Sequence, residues 1–516
     1  MNRIVRILLG LLTIGLVALT SCKKEPEKPQ NEGTTYANVS ISVQTDMRIG
    51  TGGDHDFGRS IKWNGKDAIK TISVYIVDNA TISSGDYDES KFTITKATDK
   101  TNISITPKEA ILTTPGEKSV YVLINAPQKI KDYLNKAVTP FAFKKAYAAA
   151  VNVITAQEAA KTELNGTDPE DVIMMTNAKE CTLTVAEGVT EAEALATQNP
   201  KNRAPVQVRR AVARVLLTTT SDTYWVNDKN RKRIGVIKDI TYAVAQGEKS
   251  FYLMQMRDNN NIIKTPAYDF VPEKDPAHPD QLTATSYAMM DKYYDYSDLQ
   301  TKDRVATVAI NLEQNVLSVG AQALKQSVFM FEASHKYGDL DNTDFRRANT
   351  PYVLVRAKFT PDKFEDDAAD NKYTEGSTFY MGENGRFYIK KENVVDETKG
   401  GIKDQRYYTY ENAKVIYYAF LNPDKPGKTI NAPAYRNNIY YIRITGFKTI
   451  GMNWNPLFPE VPGTKPSNNP DPRPEGEVLP PPIKPGDTNS LKEAYMVVDV
   501  TVIPWKIHEH NIDLPV

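Results

Sequence analysis

Histidine and cysteine are scarce in this chain, five and two residues out of 516. The histidines, His55, His278, His335, His508 and His510, are scattered, so their spacing marks no metal-ligand or general-base cluster. His508 and His510 would share one side if their segment were a strand, but a solvated tail is the simpler reading. Asp54-His55-Asp56 is a polar loop triplet with only weak calcium character. No phosphate-binding glycine loop, zinc signature or nucleophile elbow occurs. No metal, no cofactor and no catalytic residues are therefore expected, and the chain is not read as an enzyme. Net charge is also missing, since 64 basic residues balance 64 acidic ones. That balance gives no general reason to expect nucleic acid or an anionic membrane as partner.

The first 22 residues differ from the rest. Arg3 and Arg6 precede an almost unbroken apolar run from Ile7 to Leu19, which Thr20-Ser21-Cys22 ends. The run is short for a bilayer span, so residues 1–21 read as a signal peptide. The small residues before Cys22 match a bacterial lipobox, in which that cysteine is lipidated and becomes the new N-terminus. A polar tether, Lys23 to Gly33, follows. With Cys22 carrying lipid, Cys181 has no disulfide partner, and in Glu180-Cys181-Thr182-Leu183 it reads as a buried strand thiol.

Period-two alternation dominates the remainder. Val39, Ile41 and Val43 alternate with polar neighbours in 36–45, and Ile72, Val74 and Ile76 share a face in 69–77. Further strands are expected at 118–125, 206–219, 238–246, 250–256, 306–312, 352–360, 413–420, 438–445 and 495–503. Helix is expected mainly within Lys129 to Asn165. Frequent tyrosine, 28 residues, suits strands and exposed interaction surfaces. The pattern predicts a mainly β protein of two sandwich domains with a few helices, divided as 49–205 and 206–455. Arg209, Arg210 and Arg214, at the start of the second, read as surface charge.

Residues 456–487 hold eleven of the 31 prolines, which excludes helix and central strand and predicts an extended spacer. Beyond it, 488–516 contains one of the strongest strand patterns of the chain. Met496, Val498, Val500 and Val502 alternate there, bracketed by Tyr495 and Trp505, with Val497 between. Two readings stand open: this strand closes its own sandwich, or the linker lets it pair outside its own domain.

The tail Tyr495-Met496-Val497-Val498-Asp499-Val500-Thr501-Val502 with Pro504-Trp505 resembles that of the minor-fimbrium shaft fimbrillins of Gram-negative oral and gut anaerobes, the Bacteroidales-type fimbrillin family. So do Arg436-Asn437-Asn438-Ile439-Tyr440, Phe447-Lys448-Thr449-Ile450-Gly451, Tyr242-Ala243-Val244-Ala245-Gln246, Tyr294-Asp295-Tyr296-Ser297 and Tyr417-Tyr418-Ala419-Phe420-Leu421-Asn422-Pro423. The similarity runs from the lipobox to the last strand. It implies two transthyretin-like β-sandwich domains and an outer-membrane lipoprotein precursor. An arginine-specific protease would cut between Arg48 and Ile49, in the glycine-rich loop after the first strand, removing residues 22–48 as a propeptide. Read from the residues alone, Arg48 is an ordinary loop charge.

The resemblance further implies that Val39, Ile41 and Val43 belong to the displaced strand. Tyr495, Met496, Val497, Val498, Val500, Val502 and Trp505 would belong to the donor strand that fills the vacated groove of the next copy. The expected role is thus the shaft subunit of a cell-surface fimbrium, serving adhesion, biofilm formation and colonisation. Its partners would be further copies of itself, accessory tip and anchor subunits, and host or bacterial surface ligands, with no nucleic acid. The alternatives are an anchored glycan-binding lipoprotein, or a tip or anchor subunit of the same appendage.

Overall fold

The computed structural model describes residues 34–43, 67–96, 103–165, 168–300, 304–308, 325–337, 343–422, 430–460, 468–477, 479, 483–489 and 496–504. The signal peptide, Cys22, Arg48, Ile49, Asp54-His55-Asp56, Tyr495, Trp505, His508 and His510 lie outside them.

The strands that matter here are, in chain order, β1 (Thr35–Val43), β2 (Thr71–Val77), β3 (Ile82–Asp88), β4 (Phe92–Lys96), β5 (Ile103–Pro107), β6 (Gly116–Ile124), β7 (Met175–Asn177) and β8 (Arg203–Arg210). They are followed by β9 (Ala213–Thr219), β10 (Tyr224–Asn227), β11 (Arg233–Ala245), β12 (Tyr352–Pro361), β13 (Lys414–Phe420), β14 (Asn438–Phe447) and β15 (Met496–Pro504). Helices α1 (Gln128–Asn135) and α2 (Pro140–Ala148) lie between β6 and β7.

The N-terminal unit is a sheet in the order β3-β2-β6-β7-β8-β1-β5-β4, with Ile111–Thr113 also on β1 and Thr182–Val185 on β6. Strands from both halves of that order share one core, in which Val39, Ile41, Val74, Val122, Ile105 and Val206 meet. The period of two then explains why β2 and β6 are buried almost throughout. Ile72, Val74, Ile76, Val120, Val122 and Ile124 face this core, while Tyr75, Val77 and Leu123 face a second one under the helices.

The helices form where expected but in shorter pieces. Thr139 caps α2 by accepting from the Ala142 amide, and Pro140 opens its first turn, a position where no amide hydrogen is needed. Ile130, Leu134, Phe143 and Tyr147 then turn inward, with Phe143 against Tyr75 at 4.9 Å and Tyr147 against Tyr121 at 4.4 Å between ring centres. After one capped turn at Ala156–Ala159 the chain runs extended as Ala160–Asn165, so the helical pattern stops short of Asn165.

The C-terminal unit is a two-layer sandwich. One layer runs Thr307–Val308, β9, β14, β15, with Val328–Met330 also on β9; the other runs β10-β11-β12-β13. Val215, Leu217, Ile442, Ile444 and Met496 meet Ile237, Val353, Val355, Val415 and Tyr417 between them. The expected strand at 206–219 is two strands, and the chain changes sheets at Ala211-Val212, a few residues past the expected division at 205/206. A helix, Ala284–Tyr293, lies between β11 and β12. A small sheet of Phe379–Gly382, Phe387–Tyr388 and Tyr407–Tyr410 lies between β12 and β13.

Three expectations need correction. Arg210 and Arg214 are fully buried and Arg209 nearly so, because the joint between the units removes them from water. Arg210 pairs with Asp67 there, and Arg214 with Asp171. Many tyrosines, Tyr242, Tyr294, Tyr352 and Tyr440 among them, build core rather than surface. The segment 456–487 does not stand off as a spacer where it is described; Leu457, Phe458, Leu479 and Ile483 are buried against the body.

Candidate strand-exchange site

Strand β1 is held on both sides. It pairs parallel with β8, from Asn38 opposite Arg203 to Val43 opposite Val208. On its other side it pairs antiparallel with β5 through Ile41 and Ile105, and with Ile111–Thr113 through Thr35 and Thr113. Ala37, Val39 and Ile41 are completely buried and Val43 nearly so. Burying Val39, Ile41 and Val43 contributes roughly 5–9 kcal/mol, at about 1.5–3 kcal/mol per side chain.

Polar side chains fix the start of the strand. Thr35 Oγ1 donates to the Ala186 carbonyl (2.8 Å), and Asn202 Nδ2 donates to the Tyr36 carbonyl (3.0 Å). Asn38 Nδ2 donates to the Pro107 carbonyl (3.1 Å), and the Ser40 and Ser104 hydroxyls pair at 2.9 Å. Sequence alternation found Val39, Ile41 and Val43 but missed Thr35, Ala37 and Asn38. A buried asparagine among serines and threonines is not distinguishable from a solvated one by pattern alone.

Among the described residues, strand β15 lies at a sheet edge. It pairs antiparallel with β14, from Asn438 opposite Pro504 to Phe447 opposite Met496, and Met496 enters the sandwich core. In this conformation it closes its own sandwich, the first of the two readings. The residues before it are fastened down. Asp471, itself buried, accepts from Arg356 Nε (2.9 Å) and Nη2 (2.8 Å) on β12 and from Lys414 Nζ (2.9 Å) on β13. Asp487 takes Arg347 (3.2 Å) and Lys274 (2.5 Å), and Asn489 Nδ2 donates to Thr350 Oγ1 (2.9 Å).

Other candidates fall away from this site. Cys181 is half-buried just before Thr182–Val185, its thiol pushed up by burial and directed at the Pro205 carbonyl, 3.6 Å away. That is the environment of an inert thiol. Among the described residues, no group of three or more histidine, cysteine, aspartate or glutamate side chains is placed to hold a metal ion.

Residues 408–511 match the family described as major fimbrial subunit protein type IV, fimbrillin, C-terminal. The chain is 31% identical over 529 aligned residues to minor fimbrium subunit Mfa1 of Porphyromonas gingivalis, with 98% of each covered. A second Mfa1 sequence from the same organism matches equally, at 31% over 529 residues. Solved structures with some likeness include the tip fimbrial protein Mfa3 of P. gingivalis, with 10% identity and a TM-score of 0.34, covering 80% of this chain and 95% of that one. A fimbrial assembly protein of Parabacteroides distasonis has 10% identity and a TM-score of 0.28, covering 80% and 92%.

Proposed function

The chain belongs to the Bacteroidales-type minor fimbrillin family of fimbrial subunits, and on that premise we propose that it is the polymerising shaft subunit of a cell-surface fimbrium. It is exported as a lipoprotein anchored through Cys22 and cut by an arginine-specific protease between Arg48 and Ile49. It then accepts the C-terminal strand of another copy in the slot that β1 leaves. Its work is structural rather than catalytic, and accessory tip and anchor subunits complete the appendage.

The observation that carries this reading is the contrast between the two ends. Strand β1 has ladder partners on both sides, whereas among the described residues β15 has one. Removing β1 exposes two rows of unpaired backbone groups and an apolar slot, which is costly to leave empty. A strand moving from an edge into that slot gains a second ladder and leaves its former neighbour β14 as the new edge. Main-chain bonds supply affinity, and the alternation of Met496, Val498, Val500 and Val502 in the sequence supplies the match to Ala37, Val39, Ile41 and Val43. Such head-to-tail addition does not close on itself and so builds a filament.

Deleting residues 495–516 tests the proposal. The expected product is a secreted monomer, with no fimbriae in electron micrographs. Wild-type protein sheared from cells should begin at Ile49 and run as a ladder on gels. Fimbriae assembled from the truncated chain would overturn the donor role.

A further inference from the structure

The turn between α1 and α2 carries two apolar side chains, close in sequence, that none of the described residues covers. Val138 is 84% exposed and Phe141 79%. They are not displaced core residues, because the inward face of the hairpin is already filled by Ile130, Leu134, Phe143 and Tyr147.

Charge is concentrated at the same place in an otherwise neutral chain. Residues 128–149 contain Lys129, Lys131, Lys136, Lys144 and Lys145 against Asp132 alone. Away from the tip, Glu158 neutralises Lys129 (2.6 Å) and Asp86 approaches Lys131 (3.6 Å), while Asp132 is engaged by Gln128. Lys136, Lys144 and Lys145 flank the exposed pair, and the partner of Lys144 among the described residues is the neutral Asn79 (3.4 Å). Lys144 and Lys145 stand three and four residues after Phe141 on α2, so they border it on the helix surface.

The hairpin also sits near the point where the N-terminal tether enters the fold. Asn79 follows Asp78, which accepts from Thr114 Oγ1 (3.2 Å), and the adjoining Thr113 is the register partner of Thr35. The residues from Cys22 to Thr34 span at most about 45 Å when fully extended.

We propose that the α1–α2 turn is a docking knob for an anionic lipid surface, with Val138 and Phe141 entering the headgroup boundary and Lys136, Lys144 and Lys145 meeting the negative headgroups. The identity of that surface, the membrane holding the tether, rests on the lipoprotein reading above. The knob orients the tethered subunit rather than anchoring it, since two apolar side chains give only weak, reversible insertion.

Co-sedimentation of the soluble chain, residues 23–516, with vesicles tests this without depending on Cys22. Vesicles of 30% phosphatidylglycerol in phosphatidylethanolamine should retain at least about fivefold more protein than pure phosphatidylcholine vesicles, and 0.5 M salt should abolish the difference. Phe141→Glu and Val138→Glu should each lower retention by a similar factor at unchanged melting temperature, and Lys144→Glu/Lys145→Glu should do the same. Equal binding of these variants, or no preference for anionic vesicles, would overturn the proposal. So would loss of self-association in Phe141→Glu with vesicle binding intact, which would assign the knob to a second copy. Labelling of cells with palmitate tests the tether separately.

Discussion

Four buried charged side chains pair at the joint between the two units, Arg210 with Asp67 and Arg214 with Asp171 (2.9 Å from Nη1). A third buried pair, Arg436 with Glu332 (2.7 Å), lies within the second unit. A buried ion pair is weak evidence for net stability, but removing one partner strands the other charge. Arg214→Met is therefore expected to cost about 3–5 kcal/mol in urea unfolding, and the double change Arg214→Met/Asp171→Leu to recover most of it. Glu248 makes a pH prediction. Burial pushes its carboxyl well above the ordinary range, with the nearby Glu332 adding to the effect, and its Oε2 accepts from the Ala267 amide (2.8 Å). A folded pKa above the unfolded one means the contribution is complete below the unfolded value and is lost as pH rises toward the folded one. Glu248→Gln should accordingly raise stability more at pH 8 than at pH 5, measured by urea midpoints. An equal change at both pH values would contradict the assignment.

At the scale of elements, the strands were legible because their signal is local. Alternation located β1 and β2 and the sharing of faces within them, and the strand expected at 118–125 is β6. The split of 206–219 was not legible. Nothing near Ala211-Val212 signals that one strand joins the first sheet and the next opens the second. The proline-rich segment shows the same limit. Its composition argues against helix and central strand, yet Asp471 finds Arg356 115 positions earlier in the chain, which no local pattern records. Asp471→Ala takes the carboxylate away from the buried Arg356, which keeps the Leu299 carbonyl, at a cost of about 3–5 kcal/mol. Limited proteolysis should then cut within 456–487 sooner than in the wild-type chain, with cleavage elsewhere unchanged.

On the scale of the whole molecule, the two units share a core. Tyr75, Leu123 and Ile173 of the first pack in one cluster with Leu216, Ile439 and Tyr441 of the second. Calorimetry of the uncut chain should therefore show a single transition rather than two separated ones. Cutting between Arg48 and Ile49 and releasing β1 from a chain that lacks residues 495–516 should lower the melting temperature of that product. A peptide of residues 495–505 should raise it again in a concentration-dependent way, since a ligand that binds only the folded slot stabilises it by mass action. The same peptide with Val498→Asp and Val500→Asp should not. Rescue by the altered peptide would show that the slot does not read the alternating apolar face.

What the sequence determined by itself was the β class and the existence and facing of the main strands. All of these rest on periods of two or on contiguous runs, which neighbouring residues impose on one another. Only the tertiary structure decided that β1 lies between two ladders while β15 lies at an edge. It also decided that the prolines belong to a fastened segment and that the arginines at the joint are buried. Each of those depends on which distant chain segment occupies the adjoining space, and hence on whether a charge or a backbone group keeps its water or must find a partner.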